Sequence, residues 1–245
     1  MAVIGHGVLA VGLPEALFRG QVMVAHGETY TAFHDKVDQS KIAAVVSETR
    51  RSNAYVTPNL SAFEVIAKQW GKPDVLAAFL KDPKARNMTP NQRLGWTHSR
   101  YVIRKGSIDD HLTFLCVFTK ALSHAGVPLL TGTDSPSIPG MYPGYSEHED
   151  LRTLVEAGLS NYEALSAATR VPGEFIHKFV PGAPTFGTLE VGMRGDGVLV
   201  KGNPLESLDK LRSPKGVLLD GRWFSANDLS TLLEQHRRLF DGLLQ

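Results

Sequence analysis

The sequence has few cysteines, little net charge and no long apolar run, and each of these absences excludes a class of protein. It has one cysteine, Cys116, in 245 residues, so it cannot form an internal disulfide. Its 26 basic and 25 acidic residues leave a formal net charge of +1, which gives no electrostatic reason to expect nucleic acid or an anionic membrane as a partner. No apolar run reaches the roughly 18 residues of a membrane span, and the first residues lack the pattern of a secretory signal. The default expectation is therefore a cytoplasmic protein.

The remaining composition is that of an ordinary globular protein. Hydrophobic residues make up 42% of the chain and charged residues 21%, which is enough for a sizeable core. Short apolar runs alternate with longer amphipathic stretches, and this alternation predicts parallel βα units of an α/β fold. We predict strands at residues 2–4, 22–25, 55–57 and 127–131.

The pattern changes near residue 185. Short apolar segments separated by glycine turns predict a small antiparallel piece with strands at 187–191, 197–200, 216–219 and 222–224. An amphipathic helix is predicted from residue 225 to 244. The polar stretch 81–106 contains prolines and many charges, and we predict a long surface excursion there. Residues 1–185 and 186–245 are thus expected to form two domains.

Polar residues follow the predicted parallel strands, where active residues lie in such folds. His6 ends the first strand, His26 the second and Asp134 the fourth, and Asn59 follows the third. Two imidazoles and a carboxylate suit zinc, iron or manganese, and an aspartate beside a metal-bound water can take its proton. Each residue alone is more often structural. All three at strand ends favour metal-assisted hydrolysis of an amide or ester.

Several motifs then resemble the amidohydrolase superfamily. Val127-Pro-Leu-Leu-Thr-Gly-Thr-Asp-Ser135 resembles its last barrel strand, and Leu154-Val-Glu-Ala-Gly-Leu-Ser-Asn-Tyr-Glu-Ala-Leu-Ser-Ala-Ala-Thr169 resembles a helix pair that follows. The resemblance covers most of the chain and is strongest from Ala125 to Phe224. It implies the C-terminal half of a (β/α)8 TIM-type barrel in residues 1–185, followed by part of a composite β-sandwich in 186–245. The branch most similar is that of the imidazolonepropionase- and prolidase-like hydrolases.

The resemblance also implies roles for individual residues. His6 and His26 are similar to the metal-binding histidines of strands five and six, and Asp134 to the strand-eight aspartate, which contacts metal and shuttles a proton. The implied cofactor is a divalent metal, with zinc first and iron or manganese as alternatives. The implied substrate is a small molecule. Four loop residues are candidates for substrate contact: Tyr30, Asn59, Tyr145 and His148.

The sequence departs from the family pattern at its start. The His-x-His pair of strand one and the bridging lysine or glutamate of strand four should lie upstream of His6, and only five residues precede it. We therefore expect the first half of the barrel to be supplied by upstream sequence, by a partner chain or by a second copy. Arg194-Gly-Asp-Gly-Val198 also replaces a family turn.

These observations leave two functional hypotheses. The first is a metal-dependent hydrolase of C–N bonds other than ordinary peptide bonds, acting on a cyclic amide or dipeptide-like substrate. The second is a truncated, non-catalytic homologue that acts as a binding or assembly module.

Overall fold

The computed structural model describes residues 2–7, 11–31 and 36–241. Its strands are β1 (Val3–Gly5), β2 (Gln21–Ala25), β3 (Tyr55–Thr57), β4 (Gly197–Leu199), β5 (Gly216–Leu219) and β6 (Arg222–Ser225). Its α-helices are α1 (Leu13–Phe18), α2 (Ile42–Arg51), α3 (Leu60–Gln69), α4 (Pro73–Lys81), α5 (Pro90–Thr97), α6 (Asp109–His124), α7 (Ser146–Glu156), α8 (Asn161–Ala168), α9 (Arg170–Phe179) and α10 (Ala226–Asp241). Within these ranges, no helix is both long and apolar enough to cross a membrane.

The first sheet contains β1, β2 and β3, which lie side by side in chain order and run parallel. Helices connect the strands, as parallel pairing requires. These three strands confirm the predicted βα pattern, and β3 has the predicted bounds. The class is therefore mixed α/β.

The fourth predicted strand, 127–131, is reduced to a single parallel bridge between Leu129 and Val56. The Val56 N–H donates to the Pro128 carbonyl at 3.0 Å, and the Leu130 N–H donates to the Val56 carbonyl at 2.9 Å. Pro128 has no N–H to continue the ladder. The segment therefore lies beside β3 as expected, but it does not form a regular strand.

The chain divides into two compact units, and the first comprises residues 1–60, 109–132 and 150–193. Its core lies around the parallel sheet, where Val24 and Val56 have no exposed surface and Phe118 of α6 is 1% exposed. A second cluster packs Tyr55 and Leu130 against α9, through Val171 and Phe175. The buried sheet and the helices hold the carboxyl ends of the strands in fixed positions.

At the edge of the described part of this sheet, β1 is not covered. Val3 is 50% exposed and Ile4 is 55% exposed, although both are strongly apolar. In the neighbouring strand β2, by contrast, Val24 is fully buried. The apolar surface of β1 is thus available to further polypeptide.

The second unit comprises residues 61–108, 133–149 and 194–245. Its sheet is antiparallel, as predicted, with the order β4-β5-β6, and α10 packs against β6. The helix predicted for 225–244 begins at Ala226, and the last three residues of that prediction lie outside the described residues. The strand predicted at 187–191 is wrong, because this segment lacks strand structure and leaves Leu189 and Val191 almost fully exposed.

The prediction of a surface excursion at 81–106 is also wrong. This stretch contains α5 and two short 3₁₀ helices, and it contributes to the core of the second unit. Met88 is fully buried and Trp96 is 2% exposed. Both belong to a cluster with Leu76 and Tyr142, and the Trp96 indole N–H donates to the Pro136 carbonyl at 2.7 Å.

Candidate metal centre

Two histidines lie together at the carboxyl edge of the parallel sheet. His6 follows β1 and His26 follows β2, and the pairing of Gly5 with Val24 places both strand ends at the same level. The two ring centroids are 4.7 Å apart, with an angle of 82° between the ring planes. The structure therefore brings together the two histidines that the sequence singles out.

Gln21 fixes the end of β1 just before His6. Its side chain is 5% exposed, and its amide group donates to the carbonyls of Gly5 at 2.8 Å and Met23 at 3.0 Å. Gly5 has a φ of 136°, which residues with a side chain rarely adopt. The direction in which the chain leaves β1 toward His6 thus depends on both residues.

Glu28 lies between the two histidines, in a 3₁₀ helix that spans Gly27–Tyr30. Its Oε1 atom is 2.9 Å from Nδ1 of His6 and 3.5 Å from Nδ1 of His26. Its Oε2 atom is buried and has no hydrogen-bond partner among the described residues. Burial alone would raise the pKa of Glu28, but the hydrogen bond from His26 and the charges of both histidines outweigh burial and lower it.

Glycines let the two loops of this cluster approach their neighbours. A Cβ on Gly27 would lie 2.7 Å from Cδ2 of Leu115 and 3.0 Å from the Pro58 carbonyl oxygen. On the other side, the Gly7 N–H donates to the hydroxyl of Thr29 at 3.2 Å. The segment after His6 is thus tied to the helix that carries Glu28.

The donor set suits a divalent metal. Among the described residues, His6, His26 and Glu28 form the one group of three metal-binding side chains whose donor atoms all lie within 4.8 Å of one another. Two imidazoles and one carboxylate are ligands for zinc, iron or manganese. The His6 side chain is 64% exposed, whereas His26 and Glu28 are 15% and 18% exposed, so the cluster opens toward solvent on one side.

Asp134 belongs to the second compact unit, and its role as a metal ligand and proton shuttle stays a prediction. It lies in a tight turn with a φ of 52°. Its backbone carbonyl accepts hydrogen bonds from the N–H and the hydroxyl of Ser137. The side chain is exposed.

Asn59 lies directly beyond the carboxyl end of β3, in the same unit as the two histidines. It is 1% exposed, has a φ of 55°, and its Oδ1 atom has no hydrogen-bond partner among the described residues. Gly132 passes so close that a Cβ there would lie 2.2 Å from this oxygen. Its contact with substrate stays a prediction.

Tyr30 points into the first unit. Its hydroxyl lies 3.3 Å from that of Thr49, and its ring centroid is 4.4 Å from that of Phe118. Burial raises the pKa of its phenol, and this outweighs the opposing effect of the hydrogen bond with Thr49. This gives Tyr30 a packing role beneath the Glu28 helix, and its substrate role stays a prediction.

The remaining two predicted substrate contacts lie in the second unit. Tyr145 packs against the cluster that contains Trp96. His148 is half-buried, and its Nδ1 atom has no hydrogen-bond partner in the described ranges. Burial, helped by the charge of Arg212 and opposed by Glu149, lowers the pKa of His148.

Comparisons with known proteins identify the fold of this chain. No protein-family model and no curated protein sequence matches the chain. Among solved structures, a bottromycin amidohydrolase is similar with 23% identity and a TM-score of 0.68, over 98% of this chain and 53% of that one. A prolidase in complex with N-methylphosphonate-L-proline has 22% identity and a TM-score of 0.58, over 91% of this chain and 45% of that one.

The fold is that of the amidohydrolase- and prolidase-like proteins. The ochratoxinase of A. niger is similar as well, with 19% identity and a TM-score of 0.57, over 91% of this chain and 41% of that one. The chain thus spans about half the length of the solved structures that it matches. Glu28 was missed by sequence reasoning, although it lies only two residues after His26.

Proposed function

We propose that the chain is the C-terminal part of a metal-dependent hydrolase of C–N bonds other than ordinary peptide bonds. The observation that carries the proposal is the meeting of His6 and His26 at the carboxyl edge of a parallel sheet, in an amidohydrolase-like fold. In parallel βα folds this edge holds the active site. A zinc ion is the proposed cofactor, with iron or manganese as alternatives.

The proposed architecture is the second half of a (β/α)8 barrel in residues 1–185, with a portion of a β-sandwich in 186–245. Strands that lie side by side in chain order, all parallel and separated by helices, support it. The bridge from Val56 to Leu129 adds a fourth segment in the same order. Chain order of this kind is the topology of such a barrel.

In the proposed reaction, water adds to the carbonyl carbon of an amide, the C–N bond breaks, and a carboxylic acid and an amine are released. His6 and His26 would hold the ion through neutral imidazole nitrogens. A bound divalent ion supplies Lewis acidity, which polarises the carbonyl and lowers the pKa of the attacking water. Asp134 accepts the proton of that water at its carboxylate and donates it to the leaving nitrogen.

The proposed substrates are small cyclic amides or dipeptide-like molecules. The solved structures with a similar fold include the prolidase with N-methylphosphonate-L-proline and a Xaa-Pro dipeptidase with bound methionine. Both structures contain a compact ligand related to an amino acid. Asn59, Tyr145, His148 and Tyr30 are the residues proposed to contact the substrate.

The test is an assay of the full natural reading frame that contains this chain. The protein is incubated with zinc and with a panel of Xaa-Pro dipeptides, N-acyl amino acids and cyclic amides, and a long unmodified peptide serves as the control substrate. We expect hydrolysis of at least one panel member, loss of activity with a chelator and recovery with zinc. We also expect Asp134→Asn to lower kcat by about 100-fold or more. A zinc-saturated protein that hydrolyses none of the panel would overturn the proposal.

A second candidate, a non-catalytic assembly module, is favoured by the exposed apolar residues of β1. Val3 is 50% exposed, Ile4 is 55% exposed and Phe18 of the following helix is 86% exposed. Apolar residues on an open strand are a pairing site for another strand. We propose that the N-terminal half of the same protein, or a second copy, covers them. An assembly module would pair through β1 and fail the hydrolysis assay.

A further inference from the structure

The position of Glu28 between His6 and His26 is not explained by hydrogen bonding alone. One oxygen, Oε1, faces the Nδ1 atoms of both histidines at 2.9 and 3.5 Å. The other, Oε2, is buried without a partner among the described residues. A buried carboxylate oxygen without a partner is costly, and a cation at this position would offset that cost.

The distances between the Oε1 atom of Glu28 and the two histidine Nδ1 atoms fit coordination of one metal ion. Zinc ligands lie about 2.0–2.2 Å from the ion, so two ligand atoms at a tetrahedral angle are separated by about 3.3 Å. The two Nδ1–Oε1 distances of 2.9 and 3.5 Å fall on either side of this value. The exposure of His6 leaves the open side that a substrate or water would need.

The local fold holds Glu28 at this point. Gly27 lets the backbone pass close to Leu115 and Pro58, and the Gly7 N–H binds the hydroxyl of Thr29 next to Glu28. These contacts tie the loop after β1 to the helix after β2, so that both loops are positioned together. All of these residues belong to the first compact unit.

We propose that Glu28 is the third protein ligand of a single divalent ion held by His6 and His26. This inference rests on the metal site of the proposed function and goes further, because it makes the centre a two-histidine, one-carboxylate site contained within the first unit. The chain would then bind one ion without any ligand from upstream sequence. The class of ligand is a zinc-like divalent cation, and one coordination position faces solvent.

The experiment measures metal binding by the 245-residue chain, with zinc titrated against a chromophoric chelator. We expect one ion per chain, and we expect Glu28→Ala and Glu28→Gln to weaken binding by about 100-fold or more, at or beyond the loss typical for a residue that only orients a ligand. Glu156→Gln is the matched control, because Glu156 is an exposed partner of Arg152 in α7; it should bind zinc as the parent chain does. Circular dichroism of each variant verifies folding.

A second variant separates direct ligation from the positioning of the histidines. Glu28→Cys loaded with Co(II) should give a near-ultraviolet thiolate-to-cobalt charge-transfer band that the parent chain, which retains Cys116, does not give. Folded Glu28→Cys that binds cobalt without this band would overturn the inference, as would unchanged zinc affinity in Glu28→Ala. A parent chain that binds no zinc would overturn both this inference and the metal site. Glu28-dependent binding without hydrolysis of any substrate would support this inference while overturning the proposed function.

Discussion

The side-chain amide of Gln21 donates to the carbonyl of Gly5 at 2.8 Å, one residue before His6. The donor is buried and belongs to the neighbouring strand, so the end of β1 is held by a side chain as well as by the sheet. This contact determines where the first histidine of the cluster leaves the strand.

Loss of the Gln21 amide should therefore weaken the fold and the cluster together. Gln21→Met keeps the length of the side chain but leaves the partly buried carbonyls of Gly5 and Met23 without this donor. We expect the free energy of unfolding to fall by about 1–3 kcal/mol and zinc affinity to fall as well. Urea denaturation and zinc titration measure the two effects. Gln39→Met, at an exposed position, should change neither one; an unchanged Gln21→Met variant would contradict the role of the contact.

The close passage at Gly27 predicts a second effect on stability. In Gly27→Ala, the new methyl group would overlap Leu115 and touch the Pro58 carbonyl, so we expect a loss of about 1–3 kcal/mol. Gly95→Ala is the matched control, because a Cβ at that exposed position of α5 meets no atom within 4 Å. It should be neutral or stabilising by up to about 1 kcal/mol. Thermal or urea unfolding of both variants provides the comparison, and equal effects at the two sites would contradict the packing argument.

Ser160 and Glu163 form a reciprocal cap at the start of α8. Ser160→Ala should lower the free energy of unfolding by about 1 kcal/mol at neutral pH. The hydrogen bonds from the hydroxyl and N–H of Ser160, helped by Ser123, lower the pKa of Glu163 against the effect of burial. A lowered pKa stabilises the fold above the unfolded-state pKa, and this contribution is lost as pH falls through the folded-state pKa. The difference between parent and variant should accordingly shrink in acid, and a difference that is constant with pH would contradict this account.

His148 predicts a pH dependence with a different origin. Burial and the charge of Arg212 lower its pKa against the effect of Glu149, so the folded state keeps this ring neutral where the unfolded chain already binds a proton. Stability should decline as pH falls below about 6.5, the ordinary histidine pKa. His148→Gln should flatten that decline in urea denaturation between neutral and mildly acidic pH, with chelator present. A variant with the same slope as the parent would assign the decline to other groups.

Local patterns predicted the strands of the first sheet and the two histidines at their ends. β3 spans the predicted Tyr55–Thr57, β1 is shifted by one residue at both ends, and β2 begins one residue earlier than predicted. The alternation of short apolar runs with amphipathic stretches is a local feature of the sequence, so it could be read without knowledge of the tertiary structure. That His6 and His26 meet follows from parallel pairing, which the βα pattern already implies.

The predictions that were wrong, and the residue that was missed, depend on packing between segments that are distant in the sequence or on local turns. Pro83 and Pro90 suggest an irregular stretch, yet each occupies the first turn of a helical segment, where the missing N–H has no cost. The burial of Trp96 depends on packing from distant parts of the sequence, which a local pattern does not contain. Leu189 and Val191 have strand-like composition but remain exposed, because pairing needs a neighbouring strand. Glu28 was missed because a turn after His26, and not a strand end, places it.

The chain order of the parallel sheet has a consequence for how the protein is made. β2 follows β1 after one short helix, β3 pairs with β2, and the Leu129 segment joins β3. β2, β3 and the Leu129 segment can therefore each pair with a strand that has already been synthesised. Such an order keeps the sequence separation of contacts small and favours growth of the sheet during translation. β1 stands apart in this series, because its apolar residues Val3 and Ile4 stay exposed although β2 is paired with it.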